Sequence, residues 1–146
     1  MKTKPMNIFT SKADVLEKLD KNLKKSTIEP LFYFTISEWN NDQSEIIKKI
    51  KFFFNSSKKI IIRSSALGED SIVNSSAGLY DSVLGVSPKS DKEIKSAIKS
   101  VIKSYLNNNN RNQKNQILIQ NQTLNVNISG VLFTRTPDTG SPYYII

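Results

Sequence analysis

The residues best suited to chemistry lie between Lys59 and Gly78. A short β-branched run, KIIIR, reads as a buried strand that brings Arg63 to its end. A polar stretch of small residues follows, SSALGEDSIVNSSAG, containing Gly68 and Gly78. Arginine stays charged and offers a planar fork of donors that fits phosphate oxygens. Ser75, Ser76, Ala77 and Gly78 are small enough to let backbone N–H groups approach an anion closely. Together they suit a phosphate-cradling loop. They also suit an ordinary surface loop with Arg63 as a structural ion-pair partner, because Ser/Gly loops are common. Neither a Walker A pattern nor G-x-G-x-x-G occurs, so the familiar nucleotide folds find no support.

Other chemistries are excluded by what the chain lacks. Without cysteine there are no disulfides and no thiolate metal sites. Without histidine the usual general base, the commonest metal ligand and any phosphohistidine carrier are missing from this chain. Hard-cation sites built from carboxylates remain open. The net charge of +8 raises nucleic acid or anionic lipid as partners. The lysines, however, spread along helix faces (Lys48, Lys49, Lys51; Lys92, Lys95, Lys99, Lys103), where solvation explains them. No basic stripe with interleaved aromatics is visible, which argues against nucleic acid. No apolar run is long enough to span a bilayer, and Met1–Asn7 has no apolar core to act as a leader. These features lead us to expect a cytoplasmic chain without a membrane partner. The sequons at Asn55, Asn74, Asn121 and Asn127 are then accidents of an Asn-rich composition.

Positioning these residues requires alternating strands and helices. Ser11 to Leu23 reads as a helix, capped by Ser11, with Leu16, Leu19 and Leu23 on one face. Ile28 to Ile36 reads as a strand. Asp42 and Glu45 resemble a capping box before Ile46, Ile47, Ile50, Phe53 and Phe54 at helical spacing. Leu79 to Val86 alternates like a strand, and Ser90 with Glu93 caps a helix whose apolar face is Ile94, Ala97, Ile98, Val101, Ile102 and Tyr105. Residues 107–116 read as a polar linker that buries nothing. Ile117–Gln120 and Gly130–Thr134 read as short strands. The apolar ending at Tyr143–Ile146 suggests a domain cut short. The pattern predicts one α/β or α+β domain over residues 1–146.

The order of these residues is more specific than their composition. IIIRSSALGEDSIVNSSAGLYDSVLGV resembles the nucleotide domain of phosphoenolpyruvate synthases and pyruvate, phosphate dikinases. There a V-R-S-S-A strand end precedes E-D and then S-x-A-G. Further on, ILIQNQ is similar to that family's V-Q-x-M segment, and SGVLFTRTPDTG to its G-V-x-F-T-x-x-P-x-T-G segment. The upstream TSKADVL places Lys12 where the family has a lysine opening a helix, without the family's preceding glycine pair.

The resemblance implies the first lobe of an ATP-grasp-like domain, a mixed sheet flanked by helices, and an incomplete one. It also implies roles for individual residues. Arg63 would contact the ATP phosphates and stabilise charge during transfer. Lys12 would reach the phosphates. Ser76, Ala77 and Gly78 would cover the triphosphate. Gln120, Asn121 and Gln122 would lie in the hinge strand beside the adenine, with Gln122 standing where the family has Met. Glu69 and Asp70 match the family's acidic pair and are read as loop caps or partners of Arg63 rather than metal ligands. Magnesium ligands and the phosphohistidine domain would lie beyond Ile146, so the isolated chain is expected to be inactive. The implied enzyme moves phosphate from ATP through a histidine elsewhere to pyruvate or another small acceptor. Its partners are ATP, the acceptor and the remaining domains. Two alternatives stay open. One is a non-pyruvate kinase of a surface-polysaccharide pathway, suggested by the opening TSKADVLEKL. The other is a non-catalytic nucleotide-binding fragment.

Overall fold

The structure, a computed structural model, describes residues 11–68 and 79–145. The elements run α1 (Lys12–Asp20), β1 (Leu31–Thr35), α2 (Ile36–Asn41), α3 (Gln43–Phe53), β2 (Ile60–Ser65), β3 (Ser82–Val86), α4 (Asp91–Asn107) and β4 (Gln116–Asn121). The four strands form one sheet in the order β1-β4-β2-β3. The α+β class is as expected. The sheet, expected to be mixed, is antiparallel at every pairing among the described strands.

Strand alternation separates two faces. Phe32, Phe34, Ile60, Ile62, Ile117 and Ile119 share one face by register, and α3 and α4 cover it. Ile46, Ile47 and Ile50 of α3 and Ile94, Ala97, Ile98, Val101 and Tyr105 of α4 all enter this core. The other face carries Tyr33, Leu118, Gln120, Ile61, Arg63 and Ser65. Among the described helices α1 is tied to that face, through Ser65, Gln116 and Tyr33, and the described residues leave part of it open.

The strands read from Ile28 and Leu79 begin later, at Leu31 and Ser82, and the sequence expectations fail locally in four further places. First, the strand read through Ile36 stops at Thr35, whose side chain and Glu38 form a full capping box that starts the six-residue α2. At Ser90 only half a box forms, because the Glu93 carboxylate reaches the Ser87 N–H at 2.8 Å instead of the cap residue. Second, α1 ends at Asp20, leaving Leu19 and Leu23 exposed rather than packed with Leu16. Third, Gly130–Thr134 makes no strand; Phe133 forms an isolated bridge with Ile145, with reciprocal bonds of 2.9 and 3.0 Å. Fourth, the Asn-rich stretch is no unburied linker. Asn115 is fully buried, its Oδ1 accepts from Leu67 N–H at 3.2 Å, and its Nδ2 donates to Asn110 Oδ1 at 2.7 Å. Asn108 Nδ2 donates to the Leu79 carbonyl and Asn110 Nδ2 to the Tyr80 hydroxyl, both at 3.0 Å. Short amides bond backbone where no apolar group could, so this segment fastens Leu67 on one side and Leu79–Tyr80 on the other.

Candidate functional site

The open sheet face holds a cleft of about 440 Å³. Arg63 and Ile61 of β2, Gln120 and Asn121 of β4, the following Gln122 and Thr123, Leu84 of β3, Leu16 of α1 and the Thr27–Glu29 segment line it. Arg63 sits near the end of β2, opposite Leu118 on one side and Ser82 on the other. Among the described residues its guanidinium has no hydrogen-bond or ion-pair partner. A half-buried fork of donors therefore faces an open cleft, which favours an anionic occupant.

Gln120 is buried on the same face, and its Nε2 donates to the Glu29 carbonyl at 3.4 Å. Asn121 Nδ2 donates to the Glu29 carboxylate at 3.3 Å, and its Oδ1 accepts from the Ser57 hydroxyl. Gln122 is fixed from both sides. Its N–H donates to the Lys59 carbonyl at 3.0 Å, and its Oε1 accepts from Gly85 N–H at 2.6 Å. The β2–β3 register shifts between Ile60 and Ile62, opposite Gly85, whose φ of +74° favours glycine. The amide of Gln122 satisfies a backbone donor there that an apolar side chain would leave unpaired. Leu16, Ile61 and the largely exposed Leu84 supply apolar walls to the cleft.

Lys12 occupies the first turn of α1, after the N-cap Ser11 whose Oγ accepts from Asp14 N–H at 3.1 Å. It does not line the cleft, whereas Leu16, one turn on, does. Four of the residues singled out in the sequence, Arg63, Gln120, Asn121 and Gln122, thus share one cleft, and Lys12 sits on the helix beside it. Ser76, Ala77, Gly78, Glu69 and Asp70 lie outside the described residues. Glu29 escaped the sequence reading. Its only signal there was a carboxylate before Pro30, and it enters the cleft because β4 pairs with the chain that follows. No group of three potential metal-ligating side chains converges among the described residues. Among them, too, no helix is long and apolar enough to cross a membrane.

Helix α1 is also tied to β1. The Tyr33 hydroxyl donates to Glu17 Oε2 at 2.7 Å. That bond first, then burial and the Glu17 charge, push the phenol from its ordinary value near 10 up to about 12. A raised pKa means that the folded state holds the proton more tightly. The bond contributes fully below about pH 10 and is lost as pH rises through about 12. Because the pair is exposed, its contribution is under about 1 kcal/mol. Urea midpoints measured from pH 9 to 12 should fall more steeply in the native protein than in Tyr33→Phe; parallel curves would remove the assigned role.

The described residues thus place a cationic fork and ordered amides on one open sheet face of an α+β domain. Residues 7–146 match the family model described as pyruvate phosphate dikinase, AMP/ATP-binding domain. The chain belongs to that family, as the ATP-binding part of one of its enzymes. No curated protein and no solved structure gives a significant match.

Proposed function

We propose that the cleft binds ATP with its base beside Gln120–Gln122 and its phosphates toward Arg63 and Lys12. The observation that carries the proposal is the Arg63 guanidinium, without a partner among the described residues and on the same cleft as the Gln120–Gln122 strand end, in a chain of this family. Backbone geometry supports the base position. Gln122 N–H bonds Lys59 on the β2 side, and the Asn115 carbonyl accepts from Ile36 N–H on the β1 side. Alternation along β4 then turns the Asn121 peptide groups toward the β1 side. One step beyond the Leu31–Gln120 pair, the residue opposite Asn121 is Pro30, which has no N–H to donate. The Asn121 carbonyl is thereby left as an acceptor for an exocyclic amine such as that of adenine. Leu16, Ile61 and Leu84 fit a flat, weakly polar ring.

Within the parent enzyme, Arg63 would neutralise charge on the transferring phosphoryl group, and Lys12 and the Ser76–Gly78 segment would hold the triphosphate. The phosphoryl group would pass to a histidine in another part of the enzyme and then to pyruvate or another small acceptor, in the cytoplasm. Magnesium would arrive with the nucleotide and lower the charge on its phosphates. The described residues converge on no metal site of their own; the carboxylates that would hold the ion are expected elsewhere in the parent enzyme.

Calorimetric titration of the protein with Mg·ATP tests the reading. Saturable binding at one site, with AMP competing, is the expected result. No ATP binding at millimolar concentration would refute it. ATP consumption strictly dependent on pyruvate would identify the acceptor and eliminate the non-pyruvate alternative.

A further inference from the structure

We infer that Gln116 is a positioning residue for the polyphosphate, because it locks the start of α1, and hence Lys12, to the strand that carries Arg63. This rests on the reading that Lys12 and Arg63 serve the same phosphates.

Helix α1 has one buried residue, Ala13, so apolar packing gives it little directional hold on the sheet. A polar cluster holds it instead, centred on the first residue of β4. Gln116 Oε1 accepts from the Ser11 hydroxyl at 2.6 Å and from the Ser65 hydroxyl at 3.4 Å. Gln116 Nε2 donates to Asp14 Oδ1 at 3.2 Å. The Ser65 oxygen in turn accepts from Ala13 N–H at 2.9 Å. Ser11, Ala13 and Ser65 are all buried. One amide therefore reaches the N-cap and first turn on both sides of Lys12, and it also reaches a serine two residues along β2 from Arg63.

Hydrogen bonds have preferred lengths and angles, whereas apolar contacts tolerate sliding. A buried, fully partnered network specifies one arrangement, and no buried polar side-chain atom is left without a partner among the described residues. Gln116 thus sets the position of Lys12 relative to Arg63 more than it adds stability. The Tyr33–Glu17 bond and Leu16 keep α1 near the sheet when Gln116 is changed.

The test uses the full-length protein and compares binding of ATP and adenosine. Gln116→Leu removes the donor and acceptor at similar volume. It should weaken ATP binding about 10- to 100-fold, as misplacement of a binding group does, and leave adenosine within about twofold. In a Lys12→Ala background the same change should add little, because Gln116 acts through Lys12. The double variant Gln116→Glu with Asp14→Asn exchanges donor and acceptor between the two positions and should restore most of the ATP affinity. This exchange also decides the question if Gln116→Leu fails to fold. Equal losses for ATP and adenosine, additivity with Lys12→Ala, or no rescue by the exchange would overturn the role of Gln116. Wild-type protein that binds neither ligand would overturn the cleft assignment itself, and this inference with it. Wild-type binding that Gln116→Leu leaves unchanged would overturn this inference alone.

Discussion

Arg63→Ala is expected to lower ATP turnover by the parent enzyme about 10²- to 10³-fold, the usual loss when one donor to developing charge is removed. The fold should survive the change. Arg63 is half-buried at the cleft and its side chain bonds no described residue, so truncation strands no described buried polar group. Thermal unfolding should shift little while turnover collapses. Arg63→Lys should recover only part of the loss, because an ammonium cannot reproduce a two-pronged contact. Near-normal turnover by Arg63→Ala would remove Arg63 from the mechanism. Lost turnover accompanied by unfolding would mean that the arginine serves the core and not the ligand.

Tyr105→Phe should cost about 2–3 kcal/mol of stability, more than a surface hydroxyl could. Tyr105 is fully buried in the last turns of α4, its ring edge-on to Tyr80 at 4.9 Å. Its hydroxyl accepts from Ser65 N–H at 2.8 Å and donates to the Gln116 carbonyl at 2.6 Å. Ser65 and Gln116 are register partners in the β2–β4 ladder, so the phenol stands between two groups that the sheet would otherwise join. Phenylalanine keeps the volume and leaves both backbone groups without that partner, and each buried orphan costs about 1–3 kcal/mol. Denaturant titration of the full-length protein reads the loss as a lower midpoint. An unchanged midpoint would mean that the ladder closes over the gap. The same wedge joins α4 to the Gln116 cluster, so a secondary loss of ATP affinity is expected alongside.

Much of the apolar core of this domain was readable from its residues. The spacing of Ile94, Ala97, Ile98, Val101 and Tyr105 marks a helix with one apolar face, and all five are buried. KIIIR marks β2, and ILIQ marks β4, because β-branched and aliphatic runs of that length fit a strand covered by other elements. Arg63 was legible as a cation near the end of such a strand, and the role proposed for it came from the ordered motifs around it rather than from the strand pattern. The Thr35–Glu38 box was equally present as T-x-x-E and went unread, since the apolar alternation before it favoured carrying the strand on to Ile36.

What tertiary structure alone decided is which polar residues meet. Gln120 and Gln122 carry the same side chain two places apart, yet one reaches Glu29 and the other a glycine of β3. Ser11, Ser65 and Gln116 are separated by up to 105 positions and form one cluster. Asn115 looks like any member of an asparagine run and is fully buried. Apolar periodicity is local and survives in the sequence because every turn of a helix repeats the same burial. A hydrogen bond between distant side chains leaves no periodic trace. Its partner is fixed only when the strand order β1-β4-β2-β3 brings the two chain segments side by side.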